Sequence, residues 1–311
     1  MKHTVLAGGV GAARYLQGAI TALDPKEVTA IVNVADDITL HGLRICPDLD
    51  TCTYTLARQI DPHRGWGLTN ETFTAMKSLS RYGGHDWFSL GDQDLGTHLY
   101  RTQRLNEGAT LTEVTAEITN AWGIKATLLP VTNDPVETKV TLRSGQEVGF
   151  QEYFVRMAHN VPISALRFSG APHATPTPQV IKAIEVAETL VIAPSNPVAS
   201  IQPILAVPGI KNAIKRRRAR NVAVSPIIGG RALKGPADRM LKELGEEATV
   251  VGVARRYRDL AATLIIHNID AEHVRDIKAL EMRAIVMPTI MSEPGVSRAL
   301  AQRCHQAGKN P

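Results

Sequence analysis

Cysteine is scarce: Cys46, Cys52 and Cys304 are all there are in 311 residues, and none stands in a C-x-x-C pair. That excludes a disulfide scaffold, a zinc ribbon and a dithiol redox centre, and an odd number of thiols fits a reducing compartment. Aromatic residues make up only 5%, so the stacking platforms that hold single-stranded nucleic acid are missing. No apolar run approaches the roughly 18 residues a membrane helix needs. Glycines interrupt the apolar stretch of residues 1–23, which therefore reads as a first strand and helix, not a signal peptide, and a cytoplasmic location is expected. A strong excess of one charge is absent too. The net charge is +5, with its basic excess concentrated in Lys215, Arg216, Arg217, Arg218 and Arg220. That run closes a helical stretch, where cations favour the macrodipole, and is read as a helix end. Neither nucleic acid nor membrane is an expected partner.

What is present is the texture of an α/β protein. Residues are 44% apolar and 21% charged, ordinary for a globular chain. Short β-branched runs at 4–7, 28–34, 125–129, 190–193, 222–225, 263–267 and 284–287 alternate with amphipathic stretches, which argues for parallel strands joined by crossover helices. Helical patterns at 70–82, 94–106 and 111–122 follow one another without a strand between them. They are expected to form a helical insertion or lid over about 66–124. Alternation around an Arg-Ser-Gly-Gln turn predicts a small β-hairpin over about 136–151. A proline-rich connection at 171–178 leads into a helix at 179–188.

The chemistry-bearing residues cluster where predicted strands end, which is where open parallel sheets bind ligands. Gly8, Gly9 and Gly11 follow the first strand and open a helix. Glycines let backbone N–H groups close on phosphate oxygens at a helix N-terminus, although a tight turn needs glycine for steric reasons as well. The loop lacks the Lys-[ST] pair of a P-loop and the G-x-G-x-x-G spacing of a nicotinamide site. After Asn33 come Asp36 and Asp37, then Asp48 and Asp50, four carboxylates within fifteen residues. Such hard oxygen ligands suit Mg²⁺, which takes one or two carboxylates and fills its octahedron with water and substrate phosphate. The plainer alternatives are an Asx-turn at Asp36 and Asp37 and a helix cap at Asp50. Asp92, Gln93, Asp94 and His98 form a second polar group, with Asp94 a possible N-cap and His98 a packing residue. Ser195 and Asn196 follow another strand, in a turn stiffened by two prolines.

The blocks TVLAGGVGAAR, IVNVADD, GLRICPDLDTCTYTLA, WFSLGDQDLGTHLYRT, LLPVTNDPVETKV, FQEYFVR, APSNPVASIQPIL, VSPIIGGRALKGPA and VARRY resemble, in order and spacing, the 2-phospho-L-lactate transferase family of coenzyme F420 biosynthesis. The resemblance implies a Rossmann-like, mainly parallel sheet flanked by helices, in one domain over 1–311. It implies transfer of a phosphoenolpyruvyl or 2-phospholactyl group from a guanosine diphosphate adduct to the deazaflavin FO, with Mg²⁺, releasing GMP. The GGVGAAR form of the loop resembles the bacterial branch, tied to the phosphoenolpyruvyl donor. Carried over by motif, Asp36, Asp48 and Asp50 are the expected catalytic residues, with Asp36 and Asp48 on the metal and Asp50 toward FO. Asn33, Asp37, Asp92, Gln93 and His98 are expected to bind substrate, and Gly8, Gly9, Gly11, Ser195 and Asn196 to surround the nucleotide; Arg14 and Arg44 are further candidate cations. A homodimer is expected from the habit of such folds. The chain departs from the family pattern at Gln93, where Arg is usual, at Gly96, where Ala is usual, and at His267, where an acid is expected. The rival reading is a nucleotide-binding regulatory protein of the related gluconeogenesis-factor branch, but the DDGGSSG-like block of that branch is replaced by Asp36-Asp37-Ile38-Thr39-Leu40-His41-Gly42.

Overall fold

The strand β1 (His3–Ala7) is buried along its whole length, as befits a central parallel strand covered on both faces. In the computed structural model, which describes residues 2–310, it lies near the middle of a seven-stranded sheet. The other strands are β2 (Val28–Val32), β3 (Thr127–Pro130), β4 (Thr189–Ile192), β5 (Asn221–Val224), β6 (Thr263–Ile266) and β7 (Arg283–Val286). Their spatial order is β7-β6-β5-β4-β1-β2-β3, and every neighbouring pair is parallel. These are the seven strands the sequence predicts, displaced at their ends by a residue or two. The order reverses between β1 and β4, which makes that junction the topological switch point, where a crevice opens at the carboxyl ends. Register fixes the floor of the crevice: Ala7 pairs with Val32 and Leu6 with Ile192, so the loops after β1, β2 and β4 leave the sheet at one level.

The glycine loop runs directly into α1 (Gly9–Ala22), and α1 packs on the C-terminal helix Val296–Lys309. The two helices cross so closely at Gly18 that a Cβ there would lie 2.2 Å from the Ser297 carbonyl oxygen. Beyond β2 the chain makes an antiparallel pair, Ile38–Leu40 with Leu43–Ile45, that the sequence reading misses. Each strand is three residues long, too short to show a period, and the turn is His41-Gly42 with φ of 53° and 77°, the left-handed pair a two-residue hairpin needs. Then come α2 (Pro47–Leu56), α3 (Thr74–Ser80), α4 (Asp94–Asn106) and α5 (Leu111–Ala121). Around α3, Leu40, Ile45, Met76 and Leu90 form a small core of their own. The predicted hairpin is present as Glu137–Leu142 against Glu147–Gly149, and a third strand, Ile163–Ser169, extends it.

The basic run lies at the end of the helix Ile210–Lys215, and two of its guanidinium groups are spent on carbonyl oxygens. Arg217 donates to Glu185 and Ala187, and Arg218 to Arg258 at 2.5 Å and Glu281 at 2.6 Å. Cys46, Cys52 and Cys304 are free and buried. Because Gly18 faces a backbone atom that has nowhere to go, Gly18→Ala is expected to lower stability by about 1–3 kcal/mol, read as a lower denaturant midpoint at unchanged slope.

Candidate active site

The glycines after β1 are required by what crowds them. A Cβ at Gly11 would lie 2.1 Å from the Pro194 carbonyl oxygen, and one at Gly8 would lie 2.6 Å from Ser200 Cβ and 2.9 Å from Asp48 Oδ2. Gly9 holds φ at +68°, which side chains resist. Its N–H donates to Asp48 Oδ1 at 2.8 Å, while Asn33 Nδ2 donates to Asp48 Oδ2 at 3.0 Å. Asn33 in turn accepts from the Ala35 N–H at 3.0 Å. One carboxylate thus ties the loop after β1 to the end of β2. Asp48 sits in the first turn of α2, which begins at Pro47, and the positive helix end favours its charge.

Asp36 is buried beside it. Its carboxylate accepts from Thr138 Oγ1 at 3.1 Å and its backbone carbonyl from Gln151 Nε2 at 2.8 Å, so the small antiparallel sheet holds it. Burial, and then the charge of Asp48, push the Asp36 carboxyl well above the usual carboxylate range, and burial raises Asp48 as well. Two desolvated carboxylates that disfavour each other's charge are a donor set a divalent cation would relieve, and Mg²⁺ takes one or two carboxylates. Among the described residues no three His, Cys, Asp or Glu side chains form a ready metal cage. Asp37 pairs with Arg44 Nη2 at 3.0 Å, yet burial outweighs that guanidinium and pushes its carboxyl up to about 7. Its Oδ1 is buried without a hydrogen-bond partner. Asp36 and Asp37 line a groove of about 280 Å³ whose walls include Trp87, Lys139, Phe150 and Gln151.

Asp50 faces the other way, toward α4. Both of its oxygens accept from the buried guanidinium of Arg101, Nη1 reaching Oδ2 at 3.2 Å, so it caps nothing. His98 lies behind the pair, with Nδ1 3.7 Å from Asp50 Oδ2 and Nε2 3.3 Å from Asp94 Oδ2. Asp94 also accepts from the Tyr54 hydroxyl at 2.5 Å. Burial alone would raise the Asp94 carboxyl, but the neighbouring imidazole of His98 and the bond from Tyr54 hold it below its ordinary value. Sequence reasoning missed Arg101. The signal was its spacing, since His98 and Arg101 stand one helical turn apart and share a face.

Other expected site residues are engaged elsewhere. Asp92 accepts from Thr72 Oγ1 and from the N–H groups of Thr74 and Ala75 at 3.0 Å, capping α3. Gln93 is exposed and bonds the Asn70 carbonyl at 3.2 Å. A Cβ at Gly96 would meet nothing within 4 Å, so the alanine usual in the family would fit equally. His267 Nδ1 accepts from the Thr289 N–H at 3.1 Å. In the loop after β4, Asn196 Oδ1 accepts from Val198 and Ala199 N–H at 3.0 and 3.2 Å, capping the π-helical turn Pro197–Ile201, whereas the buried Ser195 hydroxyl has no partner.

A family model described as 2-phospho-L-lactate transferase CofD matches residues 4–291. The chain belongs to this family. A phosphoenolpyruvate transferase from Mycobacterium avium is 43% identical over 339 residues, covering 100% of both chains. One from Nocardia farcinica is 45% identical over 299 residues, covering 93% of this chain and 90% of its own. A crystal structure of a Bacillus halodurans protein superposes with a TM-score of 0.66 at 19% identity, covering 97% of this chain and 98% of its own, which bears on the fold alone. This family member is therefore an enzyme, a transferase of the phospholactate and phosphoenolpyruvate class that serves coenzyme F420 biosynthesis. No helix among its described residues is long and apolar enough to cross a membrane.

The raised carboxyl of Asp37 carries a consequence for stability. Between about pH 4 and about 7 the folded chain keeps a proton on it that the unfolded chain releases, so stability falls as pH rises, by up to about 1.4 kcal/mol per pH unit. Without divalent cations, denaturation midpoints should decline across that interval, and Asp37→Asn should flatten the decline.

Proposed function

We propose that this crevice transfers a phosphoenolpyruvyl group, or the related 2-phospholactyl group, from a guanosine diphosphate adduct to the terminal ribityl hydroxyl of the deazaflavin FO, giving dehydro-F420-0 or F420-0. The observation that carries the reading is the cluster of buried carboxylates beside a glycine loop at the switch point, in a chain that aligns end to end with phosphoenolpyruvate transferases. The relatives' name favours the enolpyruvyl donor. The hydroxyl oxygen forms a bond to the phosphorus bearing the three-carbon acid, the bond from that phosphorus to the bridging oxygen breaks, and GMP leaves while the hydroxyl proton is released. Such transfers depend on positioning and charge neutralisation.

Each side of the site has a part in this. The N-terminus of α1 suits the diphosphate, and the unpartnered Ser195 hydroxyl offers the nucleotide a hydrogen bond. Asp36 and Asp48 would hold Mg²⁺, whose charge would offset that of the diphosphate. Trp87 and Phe150 in the groove beside Asp37 suit a planar heterocycle. Asp50, compensated by Arg101, orients the hydroxyl as a fixed acceptor. We take the enzyme to be cytoplasmic and a homodimer.

The test is a coupled assay with Mg²⁺, FO, GTP and the guanylyltransferase that makes the donor, offered phosphoenolpyruvate, 2-phospholactate or 3-phosphoglycerate in turn and read by mass spectrometry. Phosphoenolpyruvate is expected to yield dehydro-F420-0, and chelation of Mg²⁺ to abolish it. Asp50→Asn should cost about 100-fold in turnover, the scale of a lost charged hydrogen bond in a transition state. A folded enzyme that gives no product from any donor would favour the regulatory alternative instead.

A further inference from the structure

Arg101 is the largest fully buried side chain of the protein, 2% exposed, and it belongs to α4 in the insertion, not to the sheet. A guanidinium is costly to bury, and an ion pair of this kind is often replaceable by apolar residues without loss of stability. Stability is thus a poor reason for it. Its contacts suggest another. One guanidinium grips both oxygens of Asp50 on α2, and the same Nη1 donates to the Arg44 backbone carbonyl at 3.3 Å. Arg44 is the residue whose own guanidinium holds Asp37. Behind Arg101, His98 Nδ1 lies 3.3 Å from Nη1 and is backed by Asp94 and Tyr54. One side chain therefore sets Asp50 directly and Asp37 at one remove. Asp48 is held separately, by Gly9 and Asn33.

We infer that Arg101 is a positioning residue for the acceptor half of the site, fixing Asp50 and the Arg44 segment while leaving the donor half untouched. The inference rests on the transfer reading above. It also makes the helical insertion part of the acceptor site, since α4 supplies Arg101 and His98 while α2 supplies the carboxylate they orient.

The test compares wild type with Arg101→Gln and Arg101→Lys in the coupled assay, with acceptor and donor varied separately and folding followed by thermal melting. Arg101→Gln is expected to raise the KM for FO between tenfold and 100-fold and to lower kcat, with the donor KM unchanged, the range a lost charged hydrogen bond spans. Arg101→Lys keeps the charge without the fork, and is expected to melt close to wild type with the FO KM still raised about tenfold. Fewer active molecules would lower kcat alone, so unchanged KM values for both substrates in a folded variant overturn the inference. So does a donor KM that rises as much as that for FO. If Arg101→Gln fails to fold, Arg101→Lys decides by the same split. A wild-type enzyme that makes no product overturns the transfer reading and this inference with it, whereas an active wild type with an indifferent Arg101 overturns only the latter.

Discussion

Asp48 ties together the segments that follow β1 and β2. One oxygen takes the Gly9 N–H at the start of α1 and the other takes the Asn33 amide at the end of β2, and the Cβ that Gly8 lacks would collide with the same carboxylate. The glycine loop, the β2 end and the first turn of α2 are therefore positioned against one group. A carboxylate can do this while buried because it accepts several hydrogen bonds at once and sits at the positive end of its own helix. Its burial still disfavours the charge and holds its carboxyl above the ordinary carboxylate range.

The other three carboxylates divide according to how their charge is met. Asp50 has a guanidinium of its own from α4, and Asp37 shares one from the hairpin with solvent nearby. Asp36 has a hydroxyl and no cation, and its carboxyl is displaced far upward by burial and by Asp48. Asp50 faces the insertion, whereas Asp36 and Asp37 line the groove and Asp48 meets the glycine loop. That asymmetry has α2 and α4 on one side and the sheet ends and α1 on the other. Where Asp50 and Asp37 meet guanidinium groups, Asp36 and Asp48 meet a hydroxyl, an amide and a backbone N–H.

Much of the fold was legible because central parallel strands are apolar throughout and stand out between amphipathic segments, as Val28–Val32 and Thr263–Ile266 do. The pairs Ile38–Leu40 with Leu43–Ile45 and Ile227–Ile228 with Arg231–Ala232 were not legible, since two or three residues carry no period and their turns depend on left-handed backbone at His41-Gly42 and Gly229-Gly230. Among the polar residues, Gly9, Asn33 and Asp48 are drawn into one network and Asp36 is set beside it. Asp92 and Asn196, equally prominent in the sequence, cap local structure instead. Nothing in their spacing distinguishes the two cases, because an aspartate that caps a helix and one that faces a crevice occupy the same kind of strand-to-helix position.

The sequence by itself determined the α/β class, the order of strands and loops, the family and the stretch in which the carboxylates lie, because these depend on local apolar pattern and on short blocks of residues. Which carboxylate meets which partner was decided only by the tertiary structure. Arg101 is fifty-one positions from Asp50 and Thr138 one hundred and two from Asp36. Such partners meet only once the insertion has packed on α2 and the small antiparallel sheet on the end of β2, and the charge state of a buried acid follows from who stands beside it.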